Sequence, residues 1–164
     1  MTNRVLLIAK IHRLPGQIAE LVEGLTDAQL TARPLAGEWS VAQNVHHLAD
    51  SHMNSYIRCK LILTEEHPTL KPYDQEMWAE LPDASGPDAA VSLSLLTALH
   101  NRWVVFWENL PTDAWARTGS HPANGNVSLD DLLEGYAAHG ESHIEQITRT
   151  RAAGQDAYFV NSEL

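Results

Sequence analysis

The sequence predicts an all-α protein, a four-helix bundle, on three observations. Apolar residues recur at helical spacing through nearly all of the 164 residues, and no convincing period-2 strand of any length interrupts them. Capping patterns, a Ser or Thr followed three residues later by Gln or Asp, stand at Thr26–Gln29, Ser40–Gln43 and Ser128–Asp131. A short internal echo links Leu25–Ala28 (LTDA) to Leu110–Ala114 (LPTDA), each followed by a loop and a serine-capped helix that carries histidine. Two helix pairs of this kind make a pseudo-symmetric bundle.

The first helix is predicted over about 3–24, with Leu6, Leu7, Ile11, Leu14, Ile18, Leu21 and Val22 at helical spacing. Pro15 lies inside it and is expected to kink it or divide it in two. A short turn follows Thr26 and ends before Pro34. Gly37 loosens the chain, and Ser40 starts the second helix, about 41–65, whose apolar stripe is Val45, Leu48, Tyr56, Cys59 and Leu63 with His52 set into it. Residues 67–87 are rich in proline and turn residues, with a possible helical turn over Gln75–Glu80. An irregular segment of that length is more often functional or lid-like than idle. The third helix, about 88–109, places Val91, Leu95, Leu99, Trp103 and Phe106 on one face. After a polar loop at His121–Asn126, Ser128 opens the fourth helix, about 129–153, with Gly154 as its expected stop.

Length and composition favour one domain over residues 1–164, since 44% hydrophobic and 20% charged residues are ordinary for a folded soluble chain. A net charge of −10 argues against nucleic acid and against an anionic membrane surface, both of which need a basic footprint. The apolar run Val5–Ala9 is too short for a signal segment or a membrane span, so a cytoplasmic location is expected. Cys59 is the single cysteine and excludes an intrachain disulfide. Its position on the apolar stripe reads as a buried structural thiol rather than a nucleophile.

The chemistry of the chain lies in its nine histidines. His139 and His143 are four apart and project from one helix face, the spacing by which one helix supplies two nitrogen ligands to a zinc-like ion. In a histidine-rich chain that spacing also arises by chance, and two hydrogen-bonded core histidines would look the same. The zinc-protease helix motif is absent, because the residue after His139 is Gly140 where that motif needs glutamate. A catalytic metal site takes a third protein ligand and keeps one position open. The second helix offers His46, His47 and His52, and periodicity does not choose among them. His47 lies beside Asn44, Asp50, Ser51 and Asn54, a polar strip that suits either a solvated face or a cavity wall. Arg58 and Asn54 suit either the binding of an anionic substrate near the metal or plain surface roles.

Longer motifs run through the same segments: Trp39–Leu48, HLADSHMNSYIR from His47, LTEEHP from Leu63, KPYD from Lys71, LHNRW from Leu99, His121-Pro122, and YAAHGESH from Tyr136. Together they resemble the DinB/YfiT-like family of metal-dependent hydrolases, in its YfiT-like branch, across roughly residues 25–150. The resemblance implies a four-helix bundle that holds one divalent ion per chain, zinc or nickel, through His47, His139 and His143. It implies a hydrolase that activates water, or a bacillithiol-type S-transferase that adds a low-molecular-weight thiol to an electrophile. A homodimer acting on a small molecule is implied as well, and no DNA binding. A third reading is a metal-stabilised dimer without turnover. Relatives often carry a richer last helix, where this chain has Ala138, Ser142 and Gln146, so a thinned surround of the ion, without its imidazoles and aromatic wall, is expected.

Overall fold

Four long helices build the fold, because each carries an apolar face that only the other three can cover. The structure, a computed structural model, describes residues 3–161, with side-chain surroundings through Gly154. The helices are α1 (Arg4–Val22), α2 (Asp27–Thr31), α3 (Val41–Thr64), α4 (Gln75–Ala79), α5 (Pro82–Ser85), α6 (Ala89–Glu108) and α7 (Leu129–Asn161), with strands β1 (Thr118–His121) and β2 (Gly125–Ser128) before α7. Helices α1 and α3 each pack against both α6 and α7, so the four form a closed ring.

The capping patterns form as the sequence predicts. Thr26 and Ser40 each accept the backbone N–H of the glutamine three residues on, and each glutamine side chain accepts the cap's own N–H. Asp131 plays the glutamine's part for Ser128 at 2.9 Å. At its far end α3 is closed by Arg117, which donates to the carbonyls of Ile62 and Glu65 at 2.9 and 2.7 Å.

Four expectations are corrected. Helix α1 runs through Pro15 undivided, so of the kink or division expected there the division does not occur. Helix α7 continues past Gly154 to Asn161, because a lone glycine costs a helix only about 1 kcal/mol and no proline follows to end it. The buried face of α6 is Ala89, Leu96, His100, Trp103 and Trp107, whereas Val91 and Leu95 are 63% and 44% exposed. Apolar residues surround this helix, so its period is weak and the polar His100 marks the inner face. Length and composition alone would let α6 cross a membrane, yet its buried residues pack among the other helices. Finally, residues 118–128 form a hairpin where a loop is expected. Each strand is only four residues long, and the usable signal is Asn124-Gly125, with Gly125 at φ 70° where the turn passes into β2. Residues 68–70 join its edge: Leu70 donates to Ser120 and Ser120 to Pro68, both at 2.8 Å. A Cβ on Gly119 would lie 2.9 Å from the Pro68 carbonyl oxygen, so glycine lets the segment dock.

The core divides into two apolar clusters. One holds Tyr56, Cys59 and Ile62 of α3 with Trp103 and Trp107 of α6 and Leu129, Leu132, Leu133 and Ala137 of α7. The other holds Val41–Ala49 residues of α3 with Leu14 and Ile18 of α1, Leu96 of α6 and Ile147 of α7. Between them along α3, α6 and α7 come His52, His100, and the pair His139 and His143. The bundle therefore carries one histidine layer between two apolar halves.

Candidate metal centre

Every residue from Val41 to Ala49 is buried, which is why the adjacent His46 and His47 are both inside. They meet different neighbours. His46 lies with Nδ1 2.7 Å from Ser92 Oγ and Nε2 3.1 Å from the Gly86 carbonyl, and it ties α3 to α6 and the end of α5. His47 turns to α7, where its Nε2 lies 3.2 Å from His139 Nε2. His143 Nε2 stands 3.1 Å from the same atom. The structure thus brings His47, His139 and His143 together, with one ring nitrogen of each within 4.8 Å of the others. His52 sits behind His139, its Nε2 3.1 Å from His139 Nδ1.

The donor chemistry of this group suits a cation. Asn44 uses its amide nitrogen on the Ser40 carbonyl at 2.9 Å, which leaves its oxygen as an acceptor 2.7 Å from His143 Nδ1. His143 therefore carries its proton on Nδ1 and presents a bare Nε2. Tetrahedral zinc–imidazole bonds of 2.0–2.1 Å place ligand nitrogens about 3.3 Å apart, close to the separations around His139 Nε2. Burial keeps all three rings neutral: it pushes His47 and His139 down to about 3 and His143 to about 4, with the neighbouring imidazoles adding to the first two. Neutral imidazole is the form that binds a metal.

The sequence profile of the DinB superfamily matches residues 10–147. The chain belongs to the DinB superfamily. Proteins named "Putative metal-dependent hydrolase" from Bacillus cereus (strain 03BB102) and Bacillus thuringiensis subsp. konkukian (strain 97-27) are each 44% identical over 144 residues, 88% of this chain and 83% of theirs. YfiT from Bacillus subtilis, described as a probable metal-dependent hydrolase with an unusual four-helix bundle topology, superposes with a TM-score of 0.87. The match is 40% identical and covers 92% of this chain and 87% of YfiT. A protein from Enterococcus faecalis, 16% identical over 93% of this chain and 97% of its own, shares the fold with a TM-score of 0.59.

In this DinB-superfamily chain the three imidazoles open on a cavity of about 470 Å³. Its wall includes Trp39, Gln75, Glu76, Ser142, Gln146 and Arg149. Trp39 is an aromatic wall from outside the last helix: its ring lies 4.7 Å from His47 and stacks 6.2 Å from His143. Its indole N–H donates to Glu76 at 3.1 Å and so holds α4 over the opening. Ala138, Ser142 and Gln146 bring no ring to the site, whereas Trp39, Tyr136, His52 and His100 supply aromatic and imidazole neighbours from four different segments.

Other predicted residues lie elsewhere. Arg58 donates to the Lys71 carbonyl at 2.6 Å and Asn54 to the Asp50 carbonyl at 2.9 Å, and neither lines the cavity. Cys59 is fully buried, and burial pushes its thiol up to about 12, as a structural cysteine requires. Gly140, the residue that breaks the protease motif, has a packing reason: a Cβ there would come within 2.7 Å of a Leu14 methyl on α1.

Proposed function

We propose that this protein is a metal-dependent hydrolase in which His47, His139 and His143 hold one divalent ion, zinc or nickel, beside a small-molecule cavity. The observation that carries this reading is the convergence of three neutral imidazoles from α3 and α7 on one point at the cavity wall. A bound divalent ion supplies Lewis acidity and lowers the pKa of a coordinated water toward neutrality. Asn44 orients the His143 ring, and the surrounding apolar clusters keep solvent to the cavity side. Hydrolysis also needs a group that moves a proton. Glu38 on the same wall is paired with Arg149 at 2.6 Å, whereas Glu76 is in no ion pair among the described residues. Glu76 is the candidate general base.

The test is turnover by zinc- and nickel-loaded protein against a panel of ester, amide and lactam substrates, with and without a small thiol. Hydrolysis without thiol supports the reading. Turnover only when thiol is present replaces it with the S-transferase, and no turnover of either kind leaves a metal-stabilised protein. A homodimer in the cytoplasm belongs to the same proposal, and the exposed Val91, Leu95 and Val105 offer an apolar stripe along α6 for the second copy. Sedimentation of wild type beside Leu95→Glu should show a dimer lost in the variant. A monomeric wild type removes the dimer and leaves the hydrolase untouched.

A further inference from the structure

In a helix the carbonyl of Ile11 would accept the N–H of residue 15, but residue 15 is proline and has none. The carbonyl of a buried residue needs a partner from elsewhere. It finds one in His100 of α6, whose Nδ1 lies 2.6 Å away. A carbonyl can only accept, so the His100 proton is on Nδ1 and its Nε2 is bare. That bare nitrogen is 2.8 Å from His52 Nδ1, which must then carry the His52 proton. His52 Nε2 is bare in turn and stands 3.1 Å from His139 Nδ1, which places the His139 proton there. Its Nε2 is left as a lone pair facing His47 and His143.

We infer that His52 and His100 are positioning residues for the metal centre: with the Ile11 carbonyl that Pro15 leaves open, they fix His139 in its coordinating tautomer. The chain of hydrogen bonds touches all four bundle helices, α1, α6, α3 and α7, in that order. Its consequence for an ion rests on the metal reading proposed above, while the tautomer chain itself does not. If His100 could not accept, His52 could reverse and donate from Nε2 to His139 Nδ1. The His139 proton would then sit on Nε2, where an ion must displace it. Outer partners of this kind typically carry about 10- to 100-fold in metal affinity.

The experiment is two-bond ¹H–¹⁵N correlation NMR of the imidazoles in metal-free protein at a pH above the ordinary imidazole range, with zinc affinity measured by chelator competition. Wild type should show protonated Nδ1 and bare Nε2 at His52, His100 and His139. His100→Leu should move His139 toward Nε2–H and weaken zinc about 10- to 100-fold. His100→Gln, whose amide can donate to Ile11 and accept from His52, should restore both. A wild-type spectrum with the His139 proton on Nε2 overturns the inference without any variant, so it does not depend on His100→Leu folding. Folded His100→Leu that binds zinc as wild type does overturns it too. A wild type with the stated tautomers that fails to bind zinc overturns the metal reading and the role of the chain in affinity, and leaves the tautomer chain standing.

Discussion

At the scale of single residues, the roles divide by what each side chain still has to offer. Glu38 is consumed by Arg149, whereas Glu76 keeps a carboxylate on the cavity wall. Glu76→Gln should therefore lower kcat on a hydrolysed substrate by about 10²- to 10⁴-fold. Metal content should stay unchanged, and an unaffected kcat would remove Glu76 from the mechanism. Gly140 has a different task. Gly140→Ala gains about 1 kcal/mol of helix propensity but presses a Cβ against buried Leu14, an overpacking that costs about 1–3 kcal/mol. Urea unfolding should show a net loss, and a stabilised variant would mean that α1 and α7 have slack. Much of this scale was legible in the sequence. The i, i+4 spacing of His139 and His143 gave their shared face, and the family motif pointed to His47. Periodicity could not separate His46 from His47, because both are buried and only tertiary partners, Ser92 for one and His139 for the other, tell them apart. Trp39 and Glu76 stayed hidden for the same reason: the two residues are 37 apart in the chain, with the whole of α3 between them.

At the scale of elements, α3 organises the site, and its first turn does so twice. The cap residue Ser40 starts the helix, and the backbone carbonyl of the same residue fixes the Asn44 amide that orients His143. Gln43, the other half of the capping box, donates to the Ala79 carbonyl at 2.9 Å and so ties α4 to α3. Removing it leaves buried backbone groups unpaired, so Gln43→Ala should cost about 1–3 kcal/mol. Amide exchange should quicken in Gln75–Ala79 before the rest of the bundle, and uniform exchange would deny that α4 hangs on this contact. Capping boxes, a local signal, placed the start of α3 to the residue. The α6 face and the hairpin were less legible. An all-round apolar helix lacks a clear period, and four-residue strands carry too little alternation to register.

At the scale of the whole molecule, the bundle accepts a polar layer through its centre, and that layer makes its stability depend on pH. His47, His139 and His100 have folded pKa values pushed down to about 3, 3 and 4 by burial, against about 6.5 in an unfolded chain. Below 6.5 the unfolded state binds more protons, so stability falls as pH falls. Metal-free protein should hold full stability above about pH 6.5 and lose it progressively toward pH 4. Urea midpoints at several pH values check this, and a midpoint flat across that window would mean that the layer is open to water. Bundle architecture was legible because four long segments keep helical spacing without strand alternation, even where, as in α6, the inner face was not the one expected. The layer was not, since no sequence signal links a proline in α1 to histidines on three other helices.

The most direct measurement of the central claim is the metal content of untagged protein, wild type beside His143→Ala and the exposed control His12→Ala. About one zinc or nickel per chain is predicted in wild type and His12→Ala, with loss in His143→Ala. A wild type that takes up neither metal after reconstitution would contradict the metal centre, and so would a His143→Ala variant that holds the ion as tightly as wild type.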